Sequence, residues 1–318
     1  MSARVGFESV CVRYPEQDRN AVDGVTFDVP AGAFVVLLGP SGCGKSTLLR
    51  IVNRLVPLLS GRVTVGERDV QSLEATDLRR GIGYVIQAVG LFAHMTVGQN
   101  IAIVPELLRW ERARVRARVD ELLTLVDLDP ERYRSRYPHQ LSGGEQQRVG
   151  VARAIAAQPG VLLMDEPFGA VDAIVRASLQ DETLRIARKL RTTILFVTHD
   201  VDEALRLADR IVVMRDGKVV QYDSPLAILS APADPYVEQL LDTRDVVRRL
   251  NLLFVRDAMS HAQGSAGGEI GENDTLRDSL GAFLAGTQRL SVKRDGRSVG
   301  TLTFDDVRRA LAASSRNA

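Results

Sequence analysis

The sequence predicts an α/β fold, a largely parallel sheet with helices on both faces, followed by a smaller α+β unit. Three observations point there. Short apolar runs rich in β-branched residues alternate with helical patterns through the first two-thirds of the chain. A glycine-rich loop, Gly39-Pro-Ser-Gly-Cys-Gly-Lys-Ser-Thr47, joins one such run to a helix. The texture then changes after Leu253, in a chain of 318 residues, above the size at which single cores usually stop growing.

Taken in order, residues 11–29 and 61–65 read as short antiparallel strands. Phe34–Leu38, 83–86, 161–164, 194–197 and 211–214 read as buried strands, too short for helices and mostly bounded by Gly, Pro or charge. Residues 45–54, Ala173–Leu190 and Val201–Leu207 read as the helices between them. Residues 96–157 read as almost wholly helical, with 106–126 the longest segment. Its arginines (Arg109, Arg112, Arg114, Arg116, Arg118) are expected on a solvated face. Glu106, Glu111, Asp120 and Glu121 dilute them, and no aromatic interleaving supports nucleic-acid binding. Beyond Leu253, Gly264-Ser-Ala-Gly-Gly268 reads as a loop and 275–284 as a helix. Strands at 289–293 and 298–304 flank an Asp295-Gly296 turn, and 305–313 reads as a last helix. A unit of about sixty residues is marginal alone, because little of its surface can be buried.

Composition excludes several classes. Lys and Arg number 41 against 40 Asp and Glu, so a net charge of +1 creates no global field for nucleic acid or anionic lipid. No apolar run approaches the ~20 residues that span a bilayer. Residues 1–9 lack the basic-then-apolar order of a signal peptide. Cys11 and Cys43 make no disulfide framework and no metal-ligand spacing. The expectation is a soluble, cytosolic-type protein whose membrane connection must run through a partner.

The glycine-rich loop has the strand-before, helix-after context of a phosphate loop. Its glycines let consecutive backbone N–H groups face phosphate oxygens, and the helix start adds partial positive charge. Lys45 would reach the terminal phosphates and the Ser46 hydroxyl would ligate Mg²⁺. Cys43 reads as a small loop-filling residue. Downstream, Val161-Leu-Leu-Met-Asp165-Glu166-Pro167 is an apolar strand ending in two acids. Asp165 beside the phosphate loop suits Mg²⁺, and Glu166 suits the attacking water. Adjacent strand side chains point oppositely, which predicts different tasks for the two acids.

Leu141-Ser-Gly-Gly-Glu-Gln-Gln-Arg148 resembles the signature motif of ATP-binding cassette (ABC) ATPases. Further elements follow in the family's order: Tyr14 before the first sheet, Gln87 at a strand end, Gly169-Ala-Val-Asp172, and His199 after 194–198. The resemblance covers roughly residues 4–245. It implies a RecA-like core with antiparallel β and helical subdomains, ATP and Mg²⁺ as cofactors, and ATP hydrolysis as the activity. It also implies roles. Tyr14 would stack on adenine. Gly39, Ser41, Gly42, Cys43, Gly44, Lys45 and Thr47 would cradle the phosphates. Ser46, Gln87 and Asp165 would complete the metal and water shell. Glu166 would be the general base, His199 would contact the γ-phosphate, and Asp172 would link two sites. Ser142, Gly143 and Gly144 open a second helix, hence a second anion-binding N-terminus. Two cradles in one chain make sense in a head-to-tail homodimer with ATP between phosphate loop and signature.

Lys45 and Ser142 are 97 residues apart, a compact insert like that of transporter subunits. Ile82-Gly-Tyr-Val-Ile-Gln-Ala-Val-Gly-Leu-Phe-Ala-His-Met-Thr-Val97 and Glu166-Pro-Phe-Gly-Ala-Val-Asp172 resemble the ATPase subunits of osmoprotectant importers, those for glycine betaine, choline and carnitine. Ala88, Ala93 and Ala173 depart from that pattern at the membrane-partner surface. Val255-Arg-Asp-Ala-Met-Ser260 and residues 289–306 resemble a single cystathionine-β-synthase-type (CBS) module, with Thr303 and Asp306 placed to hold an adenosine ribose; a small scaffold that only dimerises is the alternative. The expected organisation is an ABC ATPase domain over 1–245, with its helical subdomain at about 88–158, then a linker and CBS-like unit over 246–318. The expected partners are multi-spanning permease subunits and, indirectly, an extracytoplasmic solute-binding protein, with no nucleic acid. The expected location is peripheral, on the cytoplasmic face of the cell membrane. A soluble ABC ATPase acting on no membrane, or a motor for another solute, is the alternative.

Overall fold

The computed structural model describes residues 2–15, 17–87, 90–169, 171–261 and 266–314. Ala88 and the start of the loop expected at Gly264 lie outside them, as do the side chains of Ala173 and Ile174. The chain forms two compact units, Met1–Tyr222 and Asp223–Ala318. The division falls earlier than the expected 245, because short helices after Asp223 group with the tail.

The first unit carries two sheets. β1 (Val5–Val12), β2 (Val22–Val29), β4 (Ser60–Val65) and β5 (Arg68–Asp69) form an antiparallel sheet in the order β2-β1-β4-β5. The first strand starts at Val5, not at residue 11, and ends at Val12, and the second starts only at Val22. The alternation of β1 is masked in sequence by an irregularity between Phe7 and Val10, where Ser9 takes a φ of 47°. β3 (Phe34–Leu38), β6 (Ile82–Val85), β7 (Val161–Asp165), β8 (Thr193–Thr198), β9 (Arg210–Arg215) and β10 (Lys218–Asp223) form the second sheet, order β10-β9-β3-β8-β7-β6. Its inner strands are parallel, and β3, β7 and β8 are buried at every residue. That explains their unbroken apolar sequence. One face packs Val35, Leu37, Leu163, Leu195 and Val212 into a core shared with Phe7, Phe27 and Val63 of the antiparallel sheet.

α1 (Lys45–Val52) follows β3, and α2 (Ala75–Arg80) precedes β6. The helical region contains α3 (Val97–Leu107), α4 (Arg112–Leu125), α5 (Pro130–Tyr133) and α6 (Gly143–Ile155). The single helix expected over 106–126 is thus two. The break comes where Arg109 enters the left-handed region at φ 57°. Arg118 also departs from expectation. It is 6% exposed, and its guanidinium donates to the carbonyls of Ile155 and Ala156, where the regular bonding of α6 runs out. The other four arginines of the run are exposed, as expected. α7 (Ala173–Leu190) and α8 (Val201–Leu207) complete the unit.

The second unit begins with α9 (Pro225–Ser230), α10 (Pro235–Leu241), α11 (Val246–Leu250) and α12 (Val255–Ala258). β11 (Glu269–Gly271), unforeseen in the sequence, runs parallel to β12 (Arg289–Arg294), which pairs antiparallel with β13 (Arg297–Thr303) through the expected Asp295-Gly296 turn. α13 covers only Leu280–Leu284 of the expected 275–284, because Thr275 bridges to Phe254 and donates to Asp278. α14 (Phe304–Ser314) closes the chain. Leu250, Val255, Leu276, Leu290, Val292, Leu302 and Val307 form this unit's own core.

Candidate active site at the carboxyl edge of the parallel sheet

The adjacent strands β3, β8, β7 and β6 end at one edge, in a register that pairs Leu38 with Thr198, Asp165 with Val197 and Val85 with Met164. Each is followed by an expected site residue. This is the edge at which open parallel sheets present binding residues.

The phosphate loop runs from the end of β3 into α1. Gly44 is the residue the turn requires: its φ is 104°, and a Cβ there would lie 2.4 Å from the Ala21 carbonyl oxygen. Gly39 is required by close approach, since a Cβ would lie 2.4 Å from the Met214 carbonyl oxygen. Lys45 is 5% exposed and folds over the loop, donating to the carbonyls of Gly39 (2.7 Å) and Pro40 (2.8 Å). Ser41 and Gly42 are exposed. Cys43 is 4% exposed, and burial pushes its thiol pKa up, so the packing role expected for it holds.

Asp165, the last residue of β7, accepts from the Ser46 hydroxyl at 2.7 Å. Glu166 has left the strand: its φ is 44°, and its N–H donates to the Val197 carbonyl. Strand alternation therefore does not separate the two acids; a backbone kink does. The Glu166 carboxylate lies 3.3 Å from His199 Nδ1 and 3.4 Å from Gln87 Nε2. Three expected catalytic residues thus converge from three strand ends.

Tyr14 follows β1 rather than preceding the sheet, and its hydroxyl lies 3.2 Å from the Thr47 hydroxyl. Ser142 caps α6 reciprocally with Glu145, at 2.7 Å from the Ser142 N–H and 3.3 Å in return. Tyr133 braces Glu145 at 2.5 Å, which holds the Glu145 carboxyl below its usual range. A Cβ on Gly144 would meet Val175 at 2.8 Å, whereas one on Gly143 would meet nothing within 4 Å. Asp172 caps α7 by accepting from Val175 N–H at 3.1 Å. Arg50, which is not among the expected site residues, brings its guanidinium to 3.9 Å from Asp165. Its signal was present: Arg50 stands four residues after Ser46, on the same face of α1, and Ser46 itself meets Asp165.

A phosphate loop and an acid pair at the carboxyl edge of a parallel sheet define a P-loop nucleotidase. The ABC transporter family model matches residues 22–169. The glycine betaine uptake system ATP-binding protein YehX of Escherichia coli (strain K12) is 49% identical over 292 residues, 91% of this chain and 94% of that protein. The glycine betaine/carnitine/choline transport ATP-binding protein OpuCA of Bacillus subtilis (strain 168) is 49% identical over 230 residues, 72% of this chain but only 60% of that protein. Among solved structures, the dimeric post-hydrolysis state of the ATP-binding cassette MJ0796, bound to ADP and Pi, matches with a TM-score of 0.62 and 31% identity, over 70% of this chain and 98% of that one. The chain belongs to the ATP-binding subunits of ABC transporters, and its activity class is that of the transport ATPases.

Proposed function

We propose that the chain is the ATP-hydrolysing motor of an importer for osmoprotectants of the glycine betaine, choline and carnitine type. The observation that carries the motor is the convergence of Gln87, Glu166 and His199 beside Lys45 and Ser46. The likeness to YehX over nearly its whole length supports the solute class. ATP supplies the negative charge that Lys45, folded on two neutral carbonyls, lacks; binding exchanges those acceptors for phosphate oxygens. Ser46 and Asp165 present hard oxygen donors 2.7 Å apart, a donor set that suits Mg²⁺. The ion, when bound, neutralises phosphate charge. Glu166 takes the proton of the attacking water, Gln87 completes the metal and water shell, and His199, 3.3 Å from the Glu166 carboxylate, contacts the γ-phosphate.

The second cradle favours a head-to-tail homodimer. Gly143 has no steric or dihedral reason within the chain to be glycine, and glycine in a first turn weakens a helix. A phosphate approaching from a second subunit supplies the reason. Closure and reopening of that dimer would drive permease subunits in the membrane, with a solute-binding protein outside delivering cargo. Among the described residues no helix is long and apolar enough to cross a membrane, which is compatible with a peripheral position at the cytoplasmic face. We place the domain boundary at 222/223 and keep a CBS-like pairing role for the tail as part of this proposal. Its Thr303 and Asp306 are hydrogen-bonded to each other at the start of α14, Thr303 donating at 2.6 Å, which favours a scaffold over a ribose site.

Uptake of labelled glycine betaine, choline, carnitine and proline in a deletion strain, complemented with the native or the Glu166→Gln chain, tests this reading. Restoration of betaine or choline uptake by the native chain alone is the expected result. Uptake of all four that is indifferent to the deletion would reject the solute class.

A further inference from the structure

The exposed start of α6 already meets an anion belonging to its own chain. Ser142 and Gly143 are exposed there. The Ser142 hydroxyl accepts from the Glu145 N–H at 3.3 Å and donates its one proton to Glu145 Oε2 at 2.9 Å. The same carboxylate oxygen accepts the Ser142 N–H at 2.7 Å. The other oxygen, Oε1, accepts from the Tyr133 hydroxyl at 2.5 Å. Both oxygens of Glu145 are thus engaged, and the hydroxyl proton of Ser142 is committed to one of them.

Tyr133 is a firm support for this arrangement. It is 8% exposed, and the Arg136 and Arg132 guanidiniums lie 4.8 and 5.4 Å from its ring centroid. Its hydrogen bond holds the Glu145 carboxyl below the usual range, so the group is charged at neutral pH. Capping alone does not call for that charge, because glutamine closes a capping box as glutamate does. The carboxylate adds two things that an amide does not. It binds the Ser142 hydroxyl proton by a charge-assisted bond, and it sets a full negative charge beside a helix start whose partial positive charge attracts phosphate. An arriving γ-phosphate must displace the first and work against the second.

We propose that Glu145 is an internal competitor at the signature: its carboxylate withholds the Ser142 hydroxyl from ATP carried by a second subunit, and so raises the ATP concentration at which the dimer closes. The inference deepens the reading of Ser142, Gly143 and Gly144 as the second phosphate cradle, and it rests on that reading.

ATP titration of the full-length Glu166→Gln chain, with and without Glu145→Gln, tests it by light scattering. The amide oxygen of Glu145→Gln still accepts the Ser142 N–H, so the cap persists, while the charge is gone. The ATP concentration at half-maximal dimerisation should fall about fivefold or more, the step from a charge-assisted to a neutral hydrogen bond. Binding of a fluorescent ATP analogue to the monomer should stay within about twofold, since the phosphate loop is untouched. The melting temperature should hold or fall, because an acid is lost from a helix start. A role confined to capping predicts the opposite sign for closure: a weaker cap and a cradle no better than before. Dimerisation unchanged or weakened by Glu145→Gln therefore overturns the inference. So does a gain in closure matched by an equal gain in monomer affinity. Ser142→Arg, measured alongside, separates the layers. If it blocks closure while Glu145→Gln fails to ease it, this inference falls alone; if Ser142→Arg closes normally, the cradle reading falls and takes the inference with it.

Discussion

At the scale of single residues, burial and hydrogen-bond direction assign different tasks to chemically similar groups. Asp165 and Glu166 are neighbours, yet one meets a hydroxyl and the other an imidazole and an amide. The cause is the positive φ of Glu166, an unfavourable conformation for a non-glycine residue that costs of order 1–3 kcal/mol and is found at functional sites. Two substitutions dissect the site. Lys45→Ala removes the one ammonium in the phosphate loop, and equilibrium titration with a fluorescent ATP analogue should show binding lost. Glu166→Gln keeps size and the kink but removes the base. It should bind ATP normally and turn over roughly 10²–10⁴-fold more slowly, trapping a dimer that elutes early on a sizing column. Native-like turnover by this variant would exclude Glu166 as the base.

At the scale of elements, α6 carries the functional load and the reasons are local. Its first turn is capped by Ser142 and Glu145, and its last is capped by the buried Arg118. A charge-assisted bond of that kind contributes about 1.5–3 kcal/mol, so the helix is held at both ends before any ligand arrives. A stiff helix with an exposed N-terminus fits a cradle offered to another subunit. Ser142→Arg places bulk in the open space above Gly143 while leaving the phosphate loop of the same chain untouched. Monomer binding of ATP should persist; ATP-dependent dimerisation, followed by light scattering, and turnover should both fail. Normal hydrolysis by that variant would mean that the site is complete within one chain.

At the scale of the whole molecule, the two units have separate cores, so each can be questioned by removing the other. The cut belongs after Asp223 and not further along the chain, because Leu250 is already part of the tail's core. If the tail pairs between subunits, it holds two cassettes at a raised effective concentration, as any linked second contact does. Deleting 224–318 should then weaken association without nucleotide, measured by analytical ultracentrifugation, more than it weakens ATP-dependent closure. Equal association of the truncated and intact chains would leave the tail with no tethering role.

The sequence by itself determined whatever depends on local chemistry. The phosphate loop, the strand ending in Asp165 and Glu166, the α6 start at Ser142 and the Asp295-Gly296 turn are all contiguous patterns whose residue types leave few conformations open. Unbroken apolar runs marked the buried strands, because parallel strands covered on both faces have no polar side to show. Tertiary structure alone decided the rest. Arg118 reads as one more surface charge until the end of α6, 37 residues away, supplies its acceptors. Thr275 reads as helical until Phe254 pairs with it. Glu203 reads as a routine acid in the first turn of a helix until the side chain of Gln180, 23 residues earlier, donates to its buried carboxylate. In each case the deciding partner is remote in the chain, and burial made that contact worth more than the residue's intrinsic preference.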